Sequence, residues 1–462
     1  MKKQFIILIL IFAGALSGFS QTGQTMYNMP AIPQVTYSNP AFRPEAKGFF
    51  GMPGISFVGI DIGHTGFAMN DVIKQMDTSF TIDVDNTLQK LGNTNFLYFE
   101  ETYEPIAFGF RIAKEKGYLT FHIAQKSYMQ FVYPKSLIQF PVLGNGDPEY
   151  LGKTADFSDL GVNASAYAEV AIGYQHSILE NLSVGGRVKM LGGVFNVYTD
   201  NKALSLTTNE EDFALTANAD VTVNYSSPVE LFDDSLAEEQ NFSPSDIPGY
   251  IKKNMGVAFD FGVTYEFQET FLFSASVIDL GYINWKAKPN NYATKGSFTF
   301  TGFNLNDMII DTLEFDDIVD NMLDSIEDIF DIQESNNAYK QMLNPKIYIG
   351  AGMHISKNTF AGLLLRSEMY RGKYFPSATL SVNQRFGRWL SLSASYSAYR
   401  NSYFNIGGGF ALKLGPYQLY LIADNIYGAF KPDFARNLNF QFGMNWLIGH
   451  KPDKNEASLD AE

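Results

Sequence analysis

The sequence predicts an all-β fold: a transmembrane antiparallel β-barrel of about 14 strands with an acidic helical extracellular loop. Three observations predict it. The chain opens with an export signal, it has no later stretch able to span a membrane as a helix, and its apolar residues alternate with a period of two.

The first twenty residues carry the signal pattern. Lys2 and Lys3 supply the charge, Phe5 to Leu16 form an apolar run, and Gly18-Phe19-Ser20 precede a cut that leaves Gln21 as the new N-terminus. The run is too short to cross about 30 Å of hydrocarbon as a helix. No later stretch reaches about eighteen consecutive apolar residues, so any membrane span must be a closed β-barrel. The expected organisation is a signal at 1–20, an N-terminal segment at 21–54, to which the resemblance given below assigns the role of plug or hatch, a barrel at 55–449, and an acidic periplasmic tail at 450–462. The expected location is the outer membrane of a Gram-negative cell, with membrane lipid as the first partner.

Composition narrows the chemistry. Cysteine is absent, which removes disulfides, thiolate metal sites and Cys nucleophiles. A net charge of -15 argues against nucleic acid, whose phosphates need clustered Lys and Arg. Forty Phe and 26 Tyr suit a lipid-facing band with interfacial girdles.

The alternation is cleanest at 257–267. Val257, Phe259, Phe261, Val263, Tyr265 and Phe267 share one face, opposite Ala258, Asp260, Gly262, Thr264 and Glu266. Leu390, Leu392, Ala394, Tyr396 and Ala398 likewise oppose Ser391, Ser393, Ser395 and Ser397. Leu438, Phe440, Phe442, Met444 and Trp446 oppose Asn437, Asn439, Gln441, Gly443 and Asn445. A soluble sandwich or propeller also alternates, but its solvated face usually carries Lys and Glu. Here that face is Ser, Asn, Gln, Thr and Gly, residues that a crowded lumen accommodates.

Strands are expected near 55–63, 104–113, 117–127, 164–176, 181–198, 256–267, 270–285, 345–356, 359–370, 377–385, 389–400, 403–414, 417–427 and 437–448. With both ends in the periplasm, every periplasmic turn is then short, and the long connections at 64–103, 128–163, 199–255 and 286–344 lie outside the cell. The alternating segment 213–225 reads as one arm of an extracellular hairpin.

Ser38-Asn39-Pro40-Ala41, with Arg43 following, resembles the Asn-Pro-Ala motif of the FadL group of outer-membrane barrels. The chain as a whole resembles FadL and PorV-like barrels, and more closely an uncharacterised family of such barrels carrying a domain of unknown function. The resemblance implies that residues 21–54 fold into the lumen. It also implies one of two roles: passing or holding a hydrophobic small molecule, or acting as a non-transporting platform for a secretion or envelope protein. A plain Asn-Pro turn is the alternative reading of the motif. The acidic tail after Trp446 departs from the common barrel pattern of ending on an aromatic residue.

No His-Glu-x-x-His, Gly-x-Ser-x-Gly, phosphate loop or complete calcium loop occurs, so neither an enzyme nor a cofactor is expected. The expected lumen-facing polar residues are Arg111, His122, Glu169, Arg187, Lys189, Asp260, Glu266, His354, Arg366 and Glu368, with Asp424 as a further candidate. Both signs occur, which reads as an internal salt-bridge network that stiffens the wall and anchors a plug, in preference to a selective ion path. A lone lumen histidine reads as hydrogen-bonded filler before ligand or base. In 304–335, Ile318, Met322, Ile326, Ile329 and Phe330 recur at helical spacing among Asp316, Asp317, Asp320 and Asp324. This describes an acidic amphipathic helix, either solvated or lying over the barrel mouth.

The strand parity fixes an orientation that thiol chemistry tests cleanly in a chain without cysteine. An impermeant thiol reagent on intact cells should modify Asp320→Cys and spare Lys357→Cys. The opposite pattern would reverse the topology.

Overall fold

The computed structural model describes residues 23–76, 79–112, 116–228, 244–301, 332–370, 373–399 and 402–449. The expected signal, the acidic tail and the acidic helix with Asp316, Asp317, Asp320 and Asp324 lie outside these residues.

Fourteen antiparallel wall positions close into a ring. The first, β1, is interrupted: Gly48–Gly51 and Phe57–His64 both pair with the same two neighbours. Then come β2 (Thr94–Ile112), β3 (Gly117–Pro134), β4 (Gly161–Leu179), β5 (Leu182–Thr208), β6 (Met255–Phe267) and β7 (Phe271–Trp285). The eighth, β8, also has two pieces, Tyr339–Met342 and Lys346–Ser356, which keep one register along β7. The ring continues with β9 (Thr359–Tyr370), β10 (Lys373–Phe386), β11 (Leu390–Tyr399), β12 (Ser402–Leu414), β13 (Tyr417–Ala423) and β14 (Asn437–Ile448). Closure is made by β14 on β1, with Val58 opposite Phe442 and Gly48 opposite Ile448. Among the described residues the ring of wall strands has no free edge, which is what hydrocarbon requires.

Every expected strand has a wall strand at its place, and the differences lie in extent. The wall begins at Gly48, not at 55, because Gly51, Pro53 and Gly54 disguise a strand that breaks and resumes. Across the break, the Met52 amide donates to the Met444 carbonyl at 2.9 Å and the Gly54 amide to the Pro105 carbonyl at 2.9 Å. Residues 94–103, expected in a loop, extend β2 outward. The arm at 213–225 does form a hairpin. Leu215–Ser226 pairs with the outer end of β5 on one edge and with Pro289–Phe300 on the other. Gln333–Ser335, within the expected helical loop, instead pairs with that second arm.

Burial is inverted relative to a water-soluble protein. On β6, Phe261 is 56% exposed while Asp260 is 0% exposed. On β11, Ser391, Ser393, Ser395 and Ser397 are buried, whereas Leu392 and Tyr396 point outward. An apolar belt of this extent exceeds the few hundred Å² that a soluble surface usually carries, and its solvent is lipid. Phe261→Arg, mid-strand on β6, should cost about 2 to 4 kcal/mol in refolding into bilayers, while Phe261→Leu should cost little. Equal tolerance of both would remove the lipid-facing assignment.

Candidate functional site: the occupied lumen

The inward faces of the wall meet a segment of the chain itself. Residues 23–47 contain two short 3₁₀ turns, Met26–Asn28 and Pro33–Tyr37, the second started by Pro33. Tyr27, Met29, Ile32, Gln34, Thr36 and Asn39 are almost fully buried. The segment bonds to strands around the ring. The Thr25 amide donates to Asp424 Oδ1 at 2.7 Å, Asn28 Nδ2 to Ser381 Oγ at 2.9 Å, and Gln418 Nε2 to the Ala31 carbonyl at 2.7 Å. Gln34 and Asn445 exchange two carboxamide bonds, each 2.9 Å. Tyr27 stacks on Tyr348 with ring centroids 5.7 Å apart, and its hydroxyl lies 3.0 Å from Ser274 Oγ.

The Asn39-Pro40-Ala41 motif sits against two glycines of the wall. Gly185 on β5 and Gly262 on β6 are cross-strand partners. A Cβ on Gly262 would overlap the Asn39 carboxamide, and one on Gly185 would overlap the Pro40 carbonyl. Asn39 Nδ2 points to the carbonyls of Val263 and Ala275 at 3.4 and 3.3 Å, while its Oδ1 accepts the Ala41 amide at 2.9 Å. Ser276 Oγ donates to the Ser38 carbonyl at 2.6 Å. Asn39 is thus held by backbone carbonyls and not by the wall charges Glu169, Asp260 or Glu266. Arg43 is half-buried near Tyr118.

Above the motif lies a belt of buried charge. Asp260 receives Arg187 Nη1 at 3.0 Å and Lys189 Nζ at 2.8 Å, and Lys189 also reaches Asp279 at 2.5 Å. Glu169 receives His122 Nε2 at 2.9 Å and Lys126 Nζ at 2.8 Å. Arg366 pairs with Glu368 at 3.2 Å, and Lys346 with Glu100 at 3.3 Å. In this low-dielectric interior each charge is tolerable because an opposite one is in contact. Arg187 ties the belt to the N-terminal segment, since its Nη2 donates to the Thr36 carbonyl at 2.9 Å and its guanidinium lies 5.2 Å from the Tyr37 ring centroid. Tyr37 in turn packs against His122 at 4.8 Å.

Among the sequence-predicted residues, His122, Glu169, Arg187, Lys189, Asp260, Arg366, Glu368 and Asp424 are buried inside the barrel. Three others are not gathered there. Arg111 sits at the short-turn end of the barrel, where its Nη2 donates to the Glu45 carbonyl at 2.8 Å. Glu266 is half-buried near the end of β6. His354 is exposed at the rim against the Phe360 ring, so its parity is lumenal but its height is wrong.

Sequence reading missed Lys126, Asp279, Lys346 and Glu100. Lys126 and Lys346 were legible, because they share parity with His122 and Tyr348. Asp279 was not: a bulge on β7, with φ +61° at Asp279, turns inward a residue that simple alternation sends to lipid. Glu100 lay in the stretch read as a loop.

The half of the lumen toward the long connections is different in kind. Tyr167, Leu191, Ala258, Ile283, Trp285 and Leu343 form a buried apolar cluster, with Tyr128 and Tyr339 packed on it. It borders a cavity of about 110 Å³ that also touches Lys126, Glu169 and Asp279. Contacts across the lumen close this half. Gln341 on β8 accepts Asn196 Nδ2 at 2.6 Å and Ser165 Oγ at 3.2 Å, and Phe96 meets Phe375 edge to face at 4.6 Å.

Fold and lumen together define a membrane-spanning β-barrel whose interior is filled by its own N-terminal segment and a belt of paired charges. The chain belongs to the family of unknown function DUF5723, whose model matches residues 40–424. No curated protein matches it in sequence. Among solved structures, it is similar to the toluene transporter TbuX of Ralstonia pickettii, with 8% identity over 94% of this chain and 99% of that one and a TM-score of 0.42. The toluene transporter TodX of Pseudomonas putida is similar at 8% identity, covering 92% and 97%, with a TM-score of 0.40. A FadL homologue of Pseudomonas aeruginosa is similar at 8% identity, covering 90% and 94%, also at 0.40.

The glycine seat generates a specific expectation. Gly262→Val should dislodge the Asn39 turn while leaving the wall closed, so that limited proteolysis cuts between residues 23 and 47 in the variant and spares the wild type. Equal protection in both would mean that the seat does not hold the segment.

Proposed function

We propose that the protein is an outer-membrane barrel that passes or holds a hydrophobic small molecule, with the N-terminal segment as its hatch. The observation that carries this reading is the apolar cluster inside the lumen, from Tyr167 to Trp285, whose Tyr167 and Leu343, with Tyr128 beside them, form the apolar wall of a cavity otherwise lined largely by the charge belt. A barrel interior that served only as filler would have no reason to place buried aromatics where water-filled lumens are polar. The cavity, at about 110 Å³, is smaller than the roughly 150 Å³ that accommodates a benzene-sized guest. Entry of a guest therefore requires part of the filling to move. The described arrangement is the closed one. Export through residues 1–20 and residence in the outer membrane belong to the same proposal.

A second reading, a platform for a secretion or envelope protein, draws support from the loops. Met69, Phe80, Ile82, Phe430 and Phe434 are exposed on two connections that touch each other, with Arg436 and Asp71 at 4.0 Å between them. Uptake separates the two. In proteoliposomes loaded from outside with a hydrophobic fluorescent probe, deleting residues 23–41 should raise uptake well above wild type. Background uptake in every variant, together with a co-purifying envelope protein lost on deletion of 69–82, would replace the transporter by the platform.

A further inference from the structure

The charge belt leaves one neighbouring carboxylate unbalanced. Each of the belt's cations, Lys126, Arg187, Lys189, Lys346 and Arg366, is in contact with one or two of the carboxylates Glu100, Glu169, Asp260, Asp279 and Glu368. Glu104 is outside these pairs. It stands on β2 at a bulge between Tyr103 and Ile106, 1% exposed and on the wall of the lumen cavity. Ser56 Oγ donates to its Oε1 at 2.7 Å and the Tyr37 hydroxyl lies beside it, both neutral groups. Among the described residues no cation comes within 4.0 Å of it. Arg187 has one terminal nitrogen on Asp260 and the other on the Thr36 carbonyl. A buried carboxylate held by neutral donors alone attracts a positive charge far more strongly than it would in water.

The surroundings of Glu104 suit a cation that carries an apolar tail. Phe57 is its cross-strand partner on β1, Tyr37 packs edge to face on Phe57 with ring centroids 6.2 Å apart, and both rings line the cavity. Aromatic faces beside a carboxylate favour an ammonium group over an anion. Four residues further along β2, about 13 Å toward the long connections, Glu100 pairs across the ladder with Tyr128, where the apolar wall of Tyr128, Tyr167 and Leu343 begins. A chain of about eight carbons, with bonds of roughly 1.5 Å, reaches across most of that distance.

Resting on the guest-holding reading above, we infer that the guest is a hydrophobic amine, its ammonium group against Glu104, Phe57 and Tyr37 and its apolar tail running to Tyr128, Tyr167 and Leu343. The full-length protein in neutral detergent is dialysed at pH 7 against octylamine, octan-1-ol or octanoate, chains of equal length with a cationic, a neutral and an anionic end. Protein-free micelles serve as the blank. Wild type should bind octylamine about tenfold more tightly than the other two. Glu104→Gln keeps the size of the side chain and removes its charge, so it should bind octylamine and octan-1-ol alike; heat-modifiable migration in a gel checks that its barrel has formed. Octan-1-ol bound as tightly as octylamine by wild type, the outcome if Glu104 already carries a proton, would overturn the inference and leave the guest-holding reading standing. So would a preference for octylamine that survives in Glu104→Gln. No binding of any of the three would remove that reading and the inference together.

Discussion

Closure of β14 onto β1 is the constraint from which the rest of this molecule follows. In hydrocarbon an unpaired strand edge costs several kcal/mol for each backbone group left without a partner, so the ring must close over its whole height. Closure then dictates composition on both sides. Outward residues must be apolar, as Phe259, Phe261 and Phe273 are, and inward ones cannot rely on bulk water once the lumen is narrow. Each inward polar group must find a partner inside. The N-terminal segment and the paired charges are two answers to the same accounting, one supplying backbone and carboxamide groups and the other opposite charges.

The two answers differ in how firmly they bind. The belt around Asp260, Lys189 and Asp279 is a network in which each member shields at least two neighbours; removing one cation would strand buried carboxylates, a loss on the order of 3 to 5 kcal/mol. The contacts of residues 23–41 are mostly neutral hydrogen bonds, each worth on the order of 1 kcal/mol net. Arg187 belongs to both, bonding Asp260 by one nitrogen and the Thr36 carbonyl by another. Movement inside this barrel would thus break at the segment before it broke at the wall.

The wall was legible in the sequence because lipid and lumen impose opposite chemistry on successive residues. The alternation of Phe261 with Asp260, or Leu392 with Ser393, survives without any knowledge of neighbours. What was not legible depends on departures from that period. Asp279 is turned inward by a bulge. The strand at Gly48–Gly51 is masked by Pro53 and two glycines. His354 keeps the right parity but lies at the wrong height, a coordinate that alternation does not encode. The seating of Asn39 on Gly262 and of Pro40 on Gly185 was hidden for another reason: the residues that make the seat are distinguished only by what they lack, and a missing Cβ identifies its partner only once the strands are in register.

The layering along the barrel axis is the remaining physical clue to what the lumen is for. From the short-turn end it runs through the charge belt, with the N-terminal segment beside it, to the aromatic cluster under Gln341. A lumen that only needed filling could be uniform. Here the most water-averse surface, around Trp285 and Tyr167, lies nearest the long connections, and the charges lie between it and the short turns. An apolar guest entering from outside would meet favourable surface first, and a belt of paired charges next, which it could pass only by following the segment's own neutral path along Thr25, Asn28 and Gln34. The lining of that path is mostly small and neutral, with Ser274, Ser381, Ser395 and Asn445, and one carboxylate, Asp424, which accepts the Thr25 amide. Displacing the segment therefore opens a route beside the belt of ion pairs instead of through it, at the cost of uncovering Asp424, and the pairs that stiffen the wall stay intact while it is open.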